Sequence, residues 1–169
     1  MMQREMRNVC AAALLLVSAG WAQSAPLQAG QPAPELNLPG AKGAVNLADY
    51  KGKVVYVDFW ASWCGPCKQS FPWMNEMQAK YGPKGLQIVA VNVDAKREDA
   101  DKFLAAVPAS FPIAFDSKGD TPKRFQIEGM PSSVFLGADG KVLLAHKGFN
   151  EESRKELEQA LDAAVARSK

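Results

Sequence analysis

Two cysteines stand three residues apart at Cys64 and Cys67, enclosing Gly65 and Pro66. A thiol attacks as its thiolate, and a free cysteine is mostly protonated at neutral pH. The flanking residues favour the anion. The run from Lys53 to Phe59 is β-branched and aromatic and predicts a buried central strand. Pro66 predicts the opening of a helix, where its missing N–H costs nothing. Cys64 then lies at a helix N-terminus, where unpaired N–H groups and the positive dipole end stabilise a thiolate. Cys67 falls in the first turn, facing Cys64 with little room for water. Cys64 is therefore the attacking nucleophile and Cys67 the resolving thiol. The first opens a substrate disulfide to a mixed disulfide, and the second releases it. Run backwards, the same steps oxidise a substrate dithiol.

Other uses of paired cysteines fit less well. Zinc needs about four ligands, whereas beyond the N-terminal segment there are two thiols and one histidine, His146. No metal site is expected. Covalent haem attachment needs histidine directly after the second cysteine, and Lys68 stands there. Peroxiredoxins carry threonine three residues before the reactive cysteine, where this chain has Ala61. His146 lies far along the chain in Leu-Leu-Ala-His-Lys, with no partner visible in sequence, and reads as structural or exposed.

The compartment follows from the N-terminus. Arg4 and Arg7 precede an apolar run from Val9 to Ala22, followed by small residues through Ala25. This is the layout of a secretory signal peptide, and a start at Met6 would keep it. An uncleaved anchor is the weaker alternative, because spanning takes about 20 apolar residues and Gln23, Ser24 and Pro26 interrupt the run. Cys10 lies inside it without a lipobox. Removing residues 1–25 takes away two arginines and one glutamate, changing 20 basic and 18 acidic residues to 18 and 17, a net of +1. Cys64 and Cys67 are then the only thiols. They close too small a loop to restrain a domain of this size, which suggests a pair that is used. With no run of basic residues, nucleic acid is not an expected partner.

Residues 26–169 suffice for one domain. Ala25 to Pro39 reads as an extended lead-in, and Val45 to Tyr50 as a short element. A helix runs from Pro66 to Tyr81 with Pro72 inside it. Leu86–Val93 is a second buried strand, Arg97–Val107 a helix, Ile113–Phe115 a short strand, and Thr121–Phe125 a short helix with Pro122 first. Ser133–Leu136 and Lys141–Lys147 are strands joined through Asp139-Gly140, a hairpin signal. Asn150 caps a final helix with apolar positions at helical spacing. This order implies a three-layer α/β sandwich with a mixed sheet, its function at the carboxyl ends of parallel strands.

The twelve residues from Val57 to Lys68, Val-Asp-Phe-Trp-Ala-Ser-Trp-Cys-Gly-Pro-Cys-Lys, resemble the active-site segment of thioredoxins. Gly129-Met130-Pro131-Ser132 resembles the loop carrying their cis-proline. The longer stretch from Lys96 to Asp120, the signal peptide and Phe71-Pro72 make the chain similar to the TlpA/ResA-like branch of exported thioredoxin-fold proteins, over about residues 32–165. The resemblance implies a thioredoxin-like α/β/α sandwich with a helix-containing insertion, and a protein thiol–disulfide oxidoreductase whose cofactor is its own Cys64–Cys67 disulfide. It further implies a periplasmic reductant recharged by a membrane electron donor, with protein disulfides as substrates and a role in cytochrome c or copper-site maturation.

The resemblance also assigns residues. Asp58 matches the buried acid of thioredoxins, which takes the proton of the resolving thiol; an acid inside an apolar strand is costly unless used or paired. Pro131 shapes the groove for substrate backbone, and Met130 contacts substrate. By position rather than by resemblance, Trp63 beside Gly65 and Pro66 reads as part of a partner-binding surface and Trp60 as packed inside, while Trp73 and Met74 either border the groove or pack within the kinked helix, packing being the favoured reading. Two positions depart from the pattern: Ala90 stands where thioredoxins often place a lysine near the acid, and Ser70 where many of the exported branch carry glutamate. Two other readings remain open. One is a disulfide oxidase or isomerase, and the other a chaperone or metallochaperone that binds clients or Cu(I) through the thiols and Met130. The two-cysteine mature chain suggests a monomer.

Overall fold

A computed structural model of the chain describes residues 27–168, so the segment read as a signal peptide and Cys10 lie outside it. The centre of the sheet is β3 (Val54–Trp60) beside β4 (Leu86–Asn92), the first buried at every residue. A strand without polar alternation is one covered on both faces. The two run parallel, in register from Val54–Leu86 to Trp60–Asn92. β5 (Ile113–Phe115) continues the parallel part. On the other side β6 (Ser132–Leu136) and β7 (Val142–Lys147) follow antiparallel, turning through Gly140 at φ +76°.

The sheet is wider than the sequence suggests. β1 (Asn37–Gly40) and β2 (Gly43–Asn46) form a hairpin on the edge of β5, giving the order β2-β1-β5-β4-β3-β6-β7. The segments read as a lead-in and a short element are this hairpin and a 3-10 turn, Leu47–Tyr50, capped by the Asn46 side chain. Proline and glycine hid the strands, since both are depleted in regular β-structure. Glycine is required at position 40 by close approach: a Cβ there would meet the carbonyl oxygens of Gly43 and Ile113.

Among the described residues four helices cover the sheet: α1 (Gly65–Tyr81), α2 (Arg97–Ala106), α3 (Asp120–Arg124) and α4 (Glu151–Arg167). On one face Phe71, Met74 and Met77 of α1, Phe103 of α2, and Leu157 and Leu161 of α4 pack on Val54, Tyr56 and Trp60. Aromatic rings join these layers, with Trp60 4.9 Å from Phe71 and 4.6 Å from Phe103 between centroids. Such pairs contribute about 0.5–1.5 kcal/mol each beyond their buried area. The opposite face, Val55, Val57, Phe59, Val89 and Val91, lies under Leu36, Phe125 and Ile127. The three-layer α/β/α sandwich is thus observed, its second helical layer reduced to α3 and the 3-10 turn. The insertion supplies α2 and β5.

Two proline placements differ from expectation. Gly65 opens α1 and Pro66 is second; Pro122 is third in α3. Both lie in a first turn, where the N–H has no helical partner. Asn150 caps α4 as expected, in a reciprocal box with Ser153.

Candidate active site

The carboxyl end of β3 delivers the chain into a short loop, Ala61 to Trp63, that is tied down from the neighbouring strand. Val93 N donates to Trp60 O at 3.0 Å. Ser62 donates through both its N–H and its hydroxyl to the Asp94 carboxylate, each at 2.9 Å. Asn92 Nδ2 donates to the same carboxylate at 2.8 Å, and Asp94 N returns a bond to Asn92 Oδ1 at 3.1 Å. Ser62, Asn92 and Asp94 were not recognised from sequence. The available signal was Asn-Val-Asp at the end of a strand otherwise apolar, because such residues fold side-chain oxygens back onto local backbone.

Cys64 follows as the N-cap of α1. Its N–H donates to Ala61 O at 3.1 Å, and its Sγ accepts the Cys67 N–H at 3.3 Å. The sulfur thus holds one of the N–H groups that a helix start leaves unpaired, which favours a thiolate when the pair is reduced. Cys64 and Cys67 are joined by a disulfide. Cys67 is fully buried and Cys64 is 4% exposed, while Trp63 beside it is 71% exposed. Gly65, Pro66 and Lys68 are exposed as well. An approaching sulfur therefore meets Cys64 before Cys67. Ser70 is buried, and its hydroxyl donates to Cys67 O at 3.1 Å. A neutral hydroxyl bound to backbone occupies that position, not an acid.

Asp58 is 1% exposed. It shares a sheet face with Tyr56 and Trp60, which belong to the same packed cluster as Cys64 and Cys67. Its strand partners are Ala90 on β4 and Ser133 on β6. Ala90 is also buried, so no cation comes from that position. Oδ2 of Asp58 has no hydrogen-bond partner among the described residues. Burial pushes the carboxyl pKa well above the usual range.

The Met130–Pro131 bond is cis, as expected. Pro131 is buried, and Met130 is half-buried against the cluster that includes both cysteines. The Ser132 hydroxyl donates to Gly129 O at 2.7 Å, and Gly148 N donates to Pro131 O at 2.8 Å, fixing the loop that enters β6 against the end of β7. Trp60, Trp73 and Met74 are buried. His146 is half-buried on β7, paired with Ser133.

The redoxin family model matches residues 28–161. The thiol-disulfide oxidoreductase ResA of Bacillus thuringiensis subsp. konkukian is 34% identical over 136 residues, covering 80% of this chain and 78% of that protein. A Chlorobium tepidum protein assigned as thiol:disulfide interchange protein DsbE superposes with a TM-score of 0.81 at 58% identity, covering 82% of this chain and 99% of its own. The pneumococcal exposed lipoprotein thioredoxin of Streptococcus pneumoniae gives 0.68 at 27% identity, covering 77% and 99%. The fold is thioredoxin-like. With a cysteine pair at the head of α1 in a chain this similar to ResA, the protein belongs to the redoxin family and is a TlpA/ResA-like protein thiol–disulfide oxidoreductase.

Proposed function

We propose that this enzyme works outside the cytoplasm as a reductant of protein disulfides, in the periplasm, and is recharged by a membrane electron donor. The observation that carries the exchange chemistry is the placement of Cys64, capping α1 with Cys67 fully buried behind it. The reducing direction is supported by the likeness of Cys-Gly-Pro-Cys to the reducing thioredoxins. Cys64 attacks the substrate disulfide, and Cys67 then displaces the reduced substrate. Asp58 accepts the Cys67 proton from below. Its burial keeps it a weak enough acid to share a proton with a thiol. Met130 and cis-Pro131 receive substrate backbone, and Trp63 gives partners an apolar landing surface. The likeness to an exposed lipoprotein thioredoxin supports a place outside the cytoplasm. Fitting substrates are exported proteins whose thiols must be free before haem attachment or copper loading.

Trapping tests this. The Cys67→Ser variant, reduced and mixed with a disulfide-bonded exported protein, is expected to accumulate a mixed disulfide through Cys64 that dithiothreitol releases. A variant that binds clients without a covalent adduct would make the protein a binding module instead.

A further inference from the structure

Asp58 has no direct outlet to water. Sheet registers place Ile113, Ala90, Asp58, Ser133 and His146 in one row across β5, β4, β3, β6 and β7. Residues directly opposite one another share a face, so the row lies on the face that carries the disulfide. Toward β5 the row is apolar and buried, Ala90 then Ile113. Toward β7 it is polar. Ser133 is 3% exposed, and the Tyr56 hydroxyl approaches both it and Asp58 from the same face. His146 is half-buried, with its Nε2 buried and lacking a hydrogen-bond partner among the described residues. The imidazole lines an open hollow of about 250 Å³ at the start of α4, bordered by Lys147, Glu152 and Glu156.

Two buried polar atoms, Asp58 Oδ2 and His146 Nε2, thus flank one hydroxyl-bearing residue. Neighbouring strands lie about 4.8 Å apart, so the outer backbones are separated by roughly 10 Å, and three inward-facing polar side chains can span that gap. Orphan polar atoms in a sheet are costly, and two of them in one row, one belonging to the acid itself, mark a path.

We propose that Ser133 and His146 are positioning residues that carry the proton between Asp58 and solvent at the α4 end of β7. This rests on Asp58 acting as the acceptor for Cys67. In the resolving step the Cys67 thiol gives its proton to the Asp58 carboxylate. The resulting thiolate attacks Cys64 Sγ, the Cys64–substrate bond breaks, the Cys64–Cys67 bond forms, and the substrate sulfur leaves with the electron pair. Asp58 then passes its proton to the Ser133 oxygen while the Ser133 hydroxyl proton moves to His146 Nε2. The imidazolium releases a proton from Nδ1 to water or to the carboxylates in the hollow.

The test is stopped-flow tryptophan fluorescence of the reduced full chain with excess of a disulfide peptide, reading release of the mixed disulfide. Asp58→Asn, Ser133→Ala and His146→Ala are compared, with melting curves and reduction potentials measured beside them. Ser133→Ala and His146→Ala are each expected to slow release about tenfold, a fraction of the roughly 10²–10⁴-fold a positioned acid–base group supplies, with the potential unchanged. Added imidazole is expected to restore His146→Ala and not Ser133→Ala. Normal release in both variants beside a slow Asp58→Asn would overturn the path and leave the role of Asp58 standing. Normal release in Asp58→Asn would overturn both. Slowing of His146→Ala that imidazole does not relieve would also overturn the path, as damage to packing.

Discussion

Replacing Asp58 with asparagine should stabilise the oxidised protein, and increasingly so as pH rises. In the unfolded chain this carboxyl titrates near 3.9. In the folded state desolvation holds it well above that, at a position 1% exposed with one oxygen unpartnered. Between those two values the native state binds one more proton than the unfolded state, so stability falls as pH rises. The stabilising contribution is complete below the unfolded pKa and is lost as pH climbs through the folded one. The slope is about 1.4 kcal/mol per pH unit. Asparagine, neutral throughout, removes it. The variant should match wild type to within about 1 kcal/mol at pH 3, where both side chains are neutral and incompletely paired. From about pH 4 it should gain about 1.4 kcal/mol per unit up to the folded pKa, then hold that lead. Urea denaturation of both disulfide-bonded proteins at half-unit intervals gives the difference curve. Keeping the disulfide removes the cysteines from the titration, and the other carboxylates, including the hydrogen-bonded Asp116 with its lowered pKa, cancel in the difference. Parallel curves would refute the reasoning, because a buried acid cannot be desolvated without this pH dependence.

Asp94→Ala should destabilise the protein by about 2–4 kcal/mol in urea denaturation, because three donors from Ser62 and Asn92 lose a carboxylate acceptor; a single bond of this kind contributes roughly 1.5–3 kcal/mol, and the half-buried Ser62 regains most of its share from water. Hydrogen exchange should quicken at Ser62 and Cys64 while β6 and β7 keep their protection. Asn150→Ala removes one half of the α4 capping box and should cost about 1 kcal/mol by the same denaturation measurement, with thiol–disulfide exchange activity unchanged.

The site was legible where chemistry shows in residue types. Cys64 and Cys67 needed only their spacing and a strand before them, and Asp58 declared itself as an acid inside an apolar run. The central strands were equally plain, since β3 and β4 are buried on both faces and read as unbroken hydrophobic segments. The β1–β2 hairpin did not show, because its strands carry Pro39, Gly40 and Gly43 and owe their pairing to the edge of β5. The anchoring of the active-site loop was also hidden. Ser62 and Asp94 are 32 residues apart in sequence and meet only because β3 and β4 lie side by side. For the same reason the row from Asp58 through Ser133 to His146 depends on strand register, which His146 taken alone does not reveal.

The central claim is that the Cys64–Cys67 couple is a reducing one. Equilibrating the protein in dithiothreitol buffers, with fluorescence of the buried Trp60 and exposed Trp63 as readout, gives its reduction potential directly. A value near that of thioredoxin, about −270 mV, is the predicted result. A value near that of DsbA, about −120 mV, would contradict the account and make the protein an oxidant of its partners.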